Sequence, residues 1–157
     1  MNKESEDIKK QVLSKMEALC SRSEKCISEI REKLAALPVN EDQADEILAS
    51  LQKDKFIDES RYAETFVRDK FKFNQWGRLK IRQVLHLKSI SEENISSGLK
   101  QIDDENYFQL LLKLLKEKNN QIKDKNPYSR KGKLFRFAAQ KGFESDLIYK
   151  AIHLIFT

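Results

Sequence analysis

Residues 77–90 read GRLKIRQVLHLKSI, and residues 130–143 read RKGKLFRFAAQKGF. At a shift of 53 the two runs align without a gap. Arg78 falls on Lys131, Lys80 on Lys133, Ile81 on Leu134, Val84 on Phe137, Lys88 on Lys141, Ser89 on Gly142 and Ile90 on Phe143. The match continues with Ile95 on Ile148 and Leu99 on Ile152. Apolar positions stepping by three and four mark one face of an α-helix. Self-similarity at this period marks a supersecondary unit that buries its face only against its neighbours.

Two further offsets extend the pattern. A shift of 51 places Ile30 on Ile81, Leu34 on Leu85, Val39 on Ile90 and Asn40 on Ser91; a shift of 45 places Asp58 on Asp103, Glu59 on Asp104, Tyr62 on Tyr107 and Phe66 on Leu111. The chain therefore reads as three units, residues 1–57, 58–102 and 103–157. The expected fold is all-α: three tandem three-helix repeats forming an elongated curved rod. The first helix presents Ile8, Val12, Met16 and Leu19, and the second Ile27, Ile30, Leu34 and Leu37. Between them Ser21-Arg22-Ser23-Glu24 reads as a capping box. Asn40 opens a third helix and Asp58 a fourth; Gly77 precedes a fifth and Ser91 caps a sixth. The seventh, from about Asp104, would bury Phe108, Leu111, Leu112 and Leu115, with Leu110 and Leu114 beside them. Asn126-Pro127 starts the eighth, which stops at Gly142, and the ninth carries Leu147, Ile148, Ala151, Ile152 and Ile155.

Composition agrees. Four Gly and two Pro in 157 residues cannot supply the turns of a sandwich or barrel. No run of about 18 apolar residues exists to cross a membrane. The polar N-terminal run, Met1 to Asp7, lacks the apolar core of a secretory signal, so a cytoplasmic protein is expected. Cys20 and Cys26, six apart, fit no zinc or redox spacing. On one straight helix they would lie about 9 Å apart along the axis and about 120° around it, too far for a disulfide. Partly buried thiols in a reducing compartment are expected.

The net charge of +5 conceals alternating blocks. Arg68 to Lys88 holds seven basic residues and one acid; Lys113 to Lys141 holds ten against two. Glu41 to Glu64 reverses the balance, with eight acids and three basic residues. The basic blocks occupy equivalent places in their repeats, which sets them along one side of the rod. Two cationic helices in register suit a phosphate backbone or an acidic groove. With about six phosphate contacts, the logarithm of affinity would fall with that of salt at a slope near −5. Phe71, Phe73 and Trp76 are interleaved with Lys70, Lys72 and Arg78; such rings either stack on bases or plug a helix junction, and the junction is favoured. His86 and His153 are isolated, and Asp58-Glu59 and Asp103-Asp104-Glu105 sit where helix N-termini favour negative charge. No nucleotide-binding loop, nucleophile elbow or metalloprotease motif occurs. No catalytic, cofactor or metal site is expected.

The run Leu48-x-x-Leu51-x-x-x-x-Phe56-Ile57-Asp58-Glu59-x-Arg61-Tyr62-Ala63-x-x-Phe66-Val67-Arg68 resembles the signature of the RecX family of RecA regulators. So do Gly77-Arg78-x-Lys80-Ile81-x-x-x-Leu85-x-x-Lys88-x-Ile90-Ser91, the tail from Arg130 to Phe143, and Glu29-Ile30-Arg31-x-Lys33-Leu34. The resemblance implies a non-enzymatic monomer that binds the RecA–DNA filament and limits its growth, strand exchange and ATP hydrolysis, with single- and double-stranded DNA as further partners. The expected interface is Arg78, Lys80, Arg82, Lys88, Arg130, Lys131, Lys133 and Arg136, with Arg22 and Arg31 extending it into the first unit. Ser89 stands where the family usually has Gly, so its junction is expected to differ in backbone angle. The alternative is a stand-alone helical DNA-binding module, akin to a helix-turn-helix regulator, acting without RecA.

Overall fold

The structure is a computed structural model that describes residues 3–157; Met1 and Asn2, the start of the polar N-terminal run, lie outside the described residues. Among the described residues there are nine helices and no strand. They are α1 (Lys3–Arg22), α2 (Ile27–Ala35), α3 (Glu41–Lys53), α4 (Glu59–Lys72), α5 (Arg78–Leu87), α6 (Glu92–Leu99), α7 (Asp104–Gln121), α8 (Pro127–Gln140) and α9 (Ser145–Ile155). Packing is mainly within consecutive triplets, α1 to α3, α4 to α6 and α7 to α9. The starts of α2 and α5, α3 and α6, and α4 and α7 coincide under the sequence shifts. The molecule is thus three tandem three-helix repeats in an elongated, curved rod. Its accessible surface of 9860 Å² exceeds the roughly 8,200 Å² of a compact protein of this mass, as an elongated row requires.

Local chemistry accounts for the helix starts. The side chains of Asn40, Asp58, Ser91, Asp103 and Asn126 each accept a hydrogen bond from the backbone N–H three residues on. That satisfies one of the four orphan donors at each N-terminus. Helices α3, α5 and α8 end in Schellman closures around Lys55, Ser89 and Gly142, at φ 61°, 62° and 97°. In each, the next residue's N–H reaches back five residues: Phe56 to Leu51, Ile90 to Leu85 and Phe143 to Ala138. Ser89 therefore adopts the left-handed angle expected of glycine, and its junction does not differ.

Two sequence readings need correction. Ser21 lies inside α1, where its hydroxyl donates to the Glu17 carbonyl, a back-bond that lets the helix run on. Cys26 is instead the N-cap of α2, with Glu29 accepting from its N–H, while Glu24 pairs with Arg61. Helix α7 buries Tyr107, Leu111, Leu114 and Leu115; Phe108 and Leu112 are only half-buried. The turn is set by Tyr107, whose ring fills the seam between Phe71 and Phe143, at 6.0 and 5.1 Å between centroids.

The apolar interior is split. One cluster joins Val12, Met16 and Cys20 of α1 to Ile30, Leu34, Ile47, Leu48, Leu51 and Ile57. The other runs unbroken through the second and third repeats, from Tyr62 to Ile152, and takes in Cys26. The two free cysteines are therefore buried in different clusters, and burial pushes both thiols above their usual range. At Gly98, α6 crosses α4 so closely that a Cβ would lie 3.2 Å from the Ala63 carbonyl oxygen.

Candidate nucleic-acid interface

The two cationic helices meet end to end. The Gly77 N–H donates to the Lys141 carbonyl at 2.7 Å, and the Leu79 N–H to the Gly142 carbonyl at 2.9 Å. The orphan amides at the start of α5 thus take up orphan carbonyls at the end of α8. The approach demands glycine on both sides. A Cβ on Gly77 would stand 2.3 Å from the Gly142 carbonyl carbon, and one on Gly142 would stand 2.4 Å from the Lys80 Cβ. This contact brings Lys80 of α5 against Gly142, beside Lys141 at the end of α8.

The cations named from the sequence separate by what holds them. Arg78 is bound inward: it donates to Glu144 at 3.1 Å, pairs with Asp104 and lies 3.9 Å above the Tyr107 ring. Its N–H donates to the Tyr107 hydroxyl at 2.9 Å, and that hydroxyl donates to Glu144. Burial, then the bond to Glu144, pushes the Tyr107 phenol far above its ordinary range. Burial alone would lower the Arg78 pKa, but the hydrogen bond and charge of Glu144, with Tyr107 and Asp104, together raise it. Arg130 donates to the carbonyls of Asn119, Ile122 and Asp124, closing the link from α7 to α8. Lys88 meets Glu29 at 3.2 Å, Arg31 meets Asp45 at 2.9 Å, and Arg82 pairs with Glu92. Arg22 is exposed at the end of α1, next to Ser23, which lines a cleft with Lys70, Trp76 and Lys88.

Among the described residues Lys80, Lys131 and Arg136 have no carboxylate in salt-bridge range, whereas Lys133 is held by Asp124. The Lys80 Nζ lies 4.4 Å over the Trp76 ring, whose face it shares with Lys70 at 5.0 Å. The Lys141 Nζ reaches the Asn74 carbonyl at 3.5 Å and lies 5.9 Å from the Phe137 centroid, with Lys118 at 5.2 Å from that ring. Lys118, Lys123, Lys133 and Arg136 then line an open groove of about 450 Å³ beside the α7–α8 link. Lys133 meets Asp124 there at 3.3 Å. The Ser129 hydroxyl, the Asn126 N–H and Lys133 together hold the Asp124 carboxyl down to about 2. A cationic track thus runs from Lys70 and Lys80 through Lys141 and Lys118 to Lys133 and Arg136.

Lys70, Lys118, Lys123 and Lys141 belong to this track but lie outside the interface expected from the sequence. They carry the same charge as their neighbours, and only tertiary packing shows which cations face rings and which face carboxylates. The interleaved aromatics also divide. Phe71 packs on Tyr107, Trp76 is half-buried edge-on to Phe66 at 6.3 Å, and Phe73 is 71% exposed. Among the described residues no cluster of His, Cys, Asp and Glu could hold a metal ion, and no helix is long and apolar enough to cross a membrane.

Comparison with known proteins gives a consistent picture. The model of the second three-helix domain of RecX matches residues 58–99, and that of the third matches residues 104–152, together more than half of the chain. The regulatory protein RecX of Clostridium botulinum (strain Eklund 17B / Type B) is 33% identical over 129 residues, covering 81% of this chain and 60% of that protein. That of Clostridium beijerinckii is 29% identical over 136 residues, covering 85% and 63%. The chain therefore spans about three fifths of the length of these curated relatives. A crystal structure of a regulatory protein RecX superposes with a TM-score of 0.86 at 28% identity, covering 95% of this chain and 73% of that one. RecX from Lactobacillus salivarius shares the fold, with a TM-score of 0.83 at 22% identity, covering 94% and 96%.

Proposed function

Because the chain belongs to the RecX family, we propose that it is a non-enzymatic regulator of homologous recombination that binds the RecA–DNA filament and restrains filament growth, strand exchange and RecA ATP hydrolysis. The observation that carries this reading is the cationic track across α4, α5, α7 and α8, held on a rigid rod by the Gly77–Gly142 contact. Lysines seated on aromatic faces keep their charge without a carboxylate to neutralise it, so they can exchange counterions for phosphates. A curved rod with its cations on one side can follow a helical polyanion over several turns of phosphate. Arg78, Lys88 and Arg130 would contribute by fixing the helices that carry the track.

The test adds the protein to RecA on single-stranded DNA and follows ATP hydrolysis and filament length. Slower hydrolysis and shorter filaments are expected at near-stoichiometric protein. Lys80→Glu, Lys133→Glu and Lys141→Glu together should abolish the effect and flatten the salt slope of DNA binding by roughly 3. Unchanged RecA turnover with the intact protein would overturn the reading. Salt-sensitive DNA binding without any effect on RecA would instead favour the stand-alone DNA-binding module.

A further inference from the structure

Helix α8 carries a second surface, on its other side from the α7–α8 groove and facing α9. Tyr128, Gly132 and Arg136 follow at intervals of four and so form one stripe. Tyr128 is 90% exposed and Tyr149 of α9 is 64% exposed, the latter stacked on Phe135 with centroids 4.9 Å apart. Together with Lys131 they border a cleft of about 550 Å³, and no carboxylate is among its described lining residues. That volume lies within the range of small-ligand clefts.

Folding does not explain this arrangement. A tyrosine left almost wholly in water adds little to the core. Gly132 costs its helix about 0.5–1 kcal/mol relative to alanine. Nor does packing require that glycine: a Cβ there would meet only the Arg136 guanidinium, at 3.4 Å and 3.9 Å. What Gly132 does provide is a stretch of helix without a side chain in the cleft that Tyr128 and Tyr149 also line, over which the Arg136 guanidinium lies.

We infer that this cleft takes unpaired bases of single-stranded nucleic acid. Aromatic faces open to solvent and flanked by cations are the chemistry of sequence-tolerant base stacking. Lys131 and Arg136 supply the charge for the flanking phosphates. Arg136 lines both this cleft and the α7–α8 groove, so a strand can run its backbone along the track and turn bases over the α8 ridge onto the tyrosines. A duplex cannot do so, because its bases are stacked and paired. The inference rests on nucleic acid binding at the track, but not on RecA.

The experiment measures binding of a labelled 15-nucleotide oligothymidine and a duplex of equal length, without RecA, by fluorescence anisotropy. The intact protein should prefer the single strand. Tyr128→Ala and Tyr149→Ala should each weaken single-strand binding roughly 5- to 150-fold, the loss of about one stacked base. Duplex affinity and the salt slope should be unchanged, because no phosphate contact is removed. Gly132→Leu, which fills that bare stretch while improving helix propensity, should have the same selective effect with an unreduced melting temperature. Equal losses on both ligands, or no loss on the single strand, would overturn the inference. Loss of an effect on RecA with oligonucleotide binding intact would likewise overturn it, assigning the cleft to a protein partner. If the tyrosines govern single-strand preference while RecA turnover is unaffected by the intact protein, the cleft stands and the regulator reading falls.

Discussion

Ser89 closes α5 at φ 62°, in the left-handed region that costs an L-residue about 1–2 kcal/mol. Its equivalent in the third repeat is Gly142, at φ 97°. Glycine at position 89 would remove that strain but add conformational freedom to the unfolded chain, an opposing effect of about 0.4–1 kcal/mol. The net expectation for Ser89→Gly is a gain of up to about 1.6 kcal/mol, read as a rise in melting temperature of up to about 3–6 °C. A lower melting temperature would show that the serine side chain contributes more than its backbone angle costs. The reverse change at Gly142 is not equivalent, because there a side chain would also strike Lys80.

The junction of α5 with α8 is where helices, more than side chains, decide the interface. Gly77 and Gly142 each look like simple punctuation in the sequence, and the repeat places them in different units. In space they touch, and each makes room for the other's backbone. Gly77→Ala should destabilise the protein by about 1–3 kcal/mol or more, since the obstacle is main chain and cannot rotate away. Thermal denaturation should show a fall of roughly 3–10 °C, and binding to DNA should weaken with it as the track breaks between Lys80 and Lys141. An unaltered melting temperature would mean that α5 and α8 can part without loss. Helix starts were legible because a cap and its amide lie three residues apart. The Ser21 reading failed because a local motif competed with a helix that α1's packing onto α3 extends.

Across the whole rod, the split interior predicts how the molecule opens. The first repeat has its own cluster, while the second and third share one. Between them the ties are largely polar: the Ile27 N–H donates to Glu59, the Ser28 hydroxyl to the Lys88 carbonyl, and Lys88 pairs with Glu29. Burial raises the pKa of Glu59, while the hydrogen bond from the Ile27 N–H acts in the opposite direction. Native-state hydrogen exchange should therefore show the amides of α1 to α3 opening as one unit, at lower free energy than those of α4 to α9. Uniform protection along the chain would contradict two cooperative units. The sequence by itself determined the helices, the caps of α3, α4, α6 and α8, the repeat and the two cationic segments, because spacing, capping and charge act over a few residues or recur at a fixed period. Only the tertiary structure decided which cations are available. Arg78 and Lys80 stand two residues apart with the same charge, yet one is held by Glu144 and Tyr107 and the other lies over Trp76. That difference depends on partners up to 66 residues away, and such partners are chosen by how whole repeats pack.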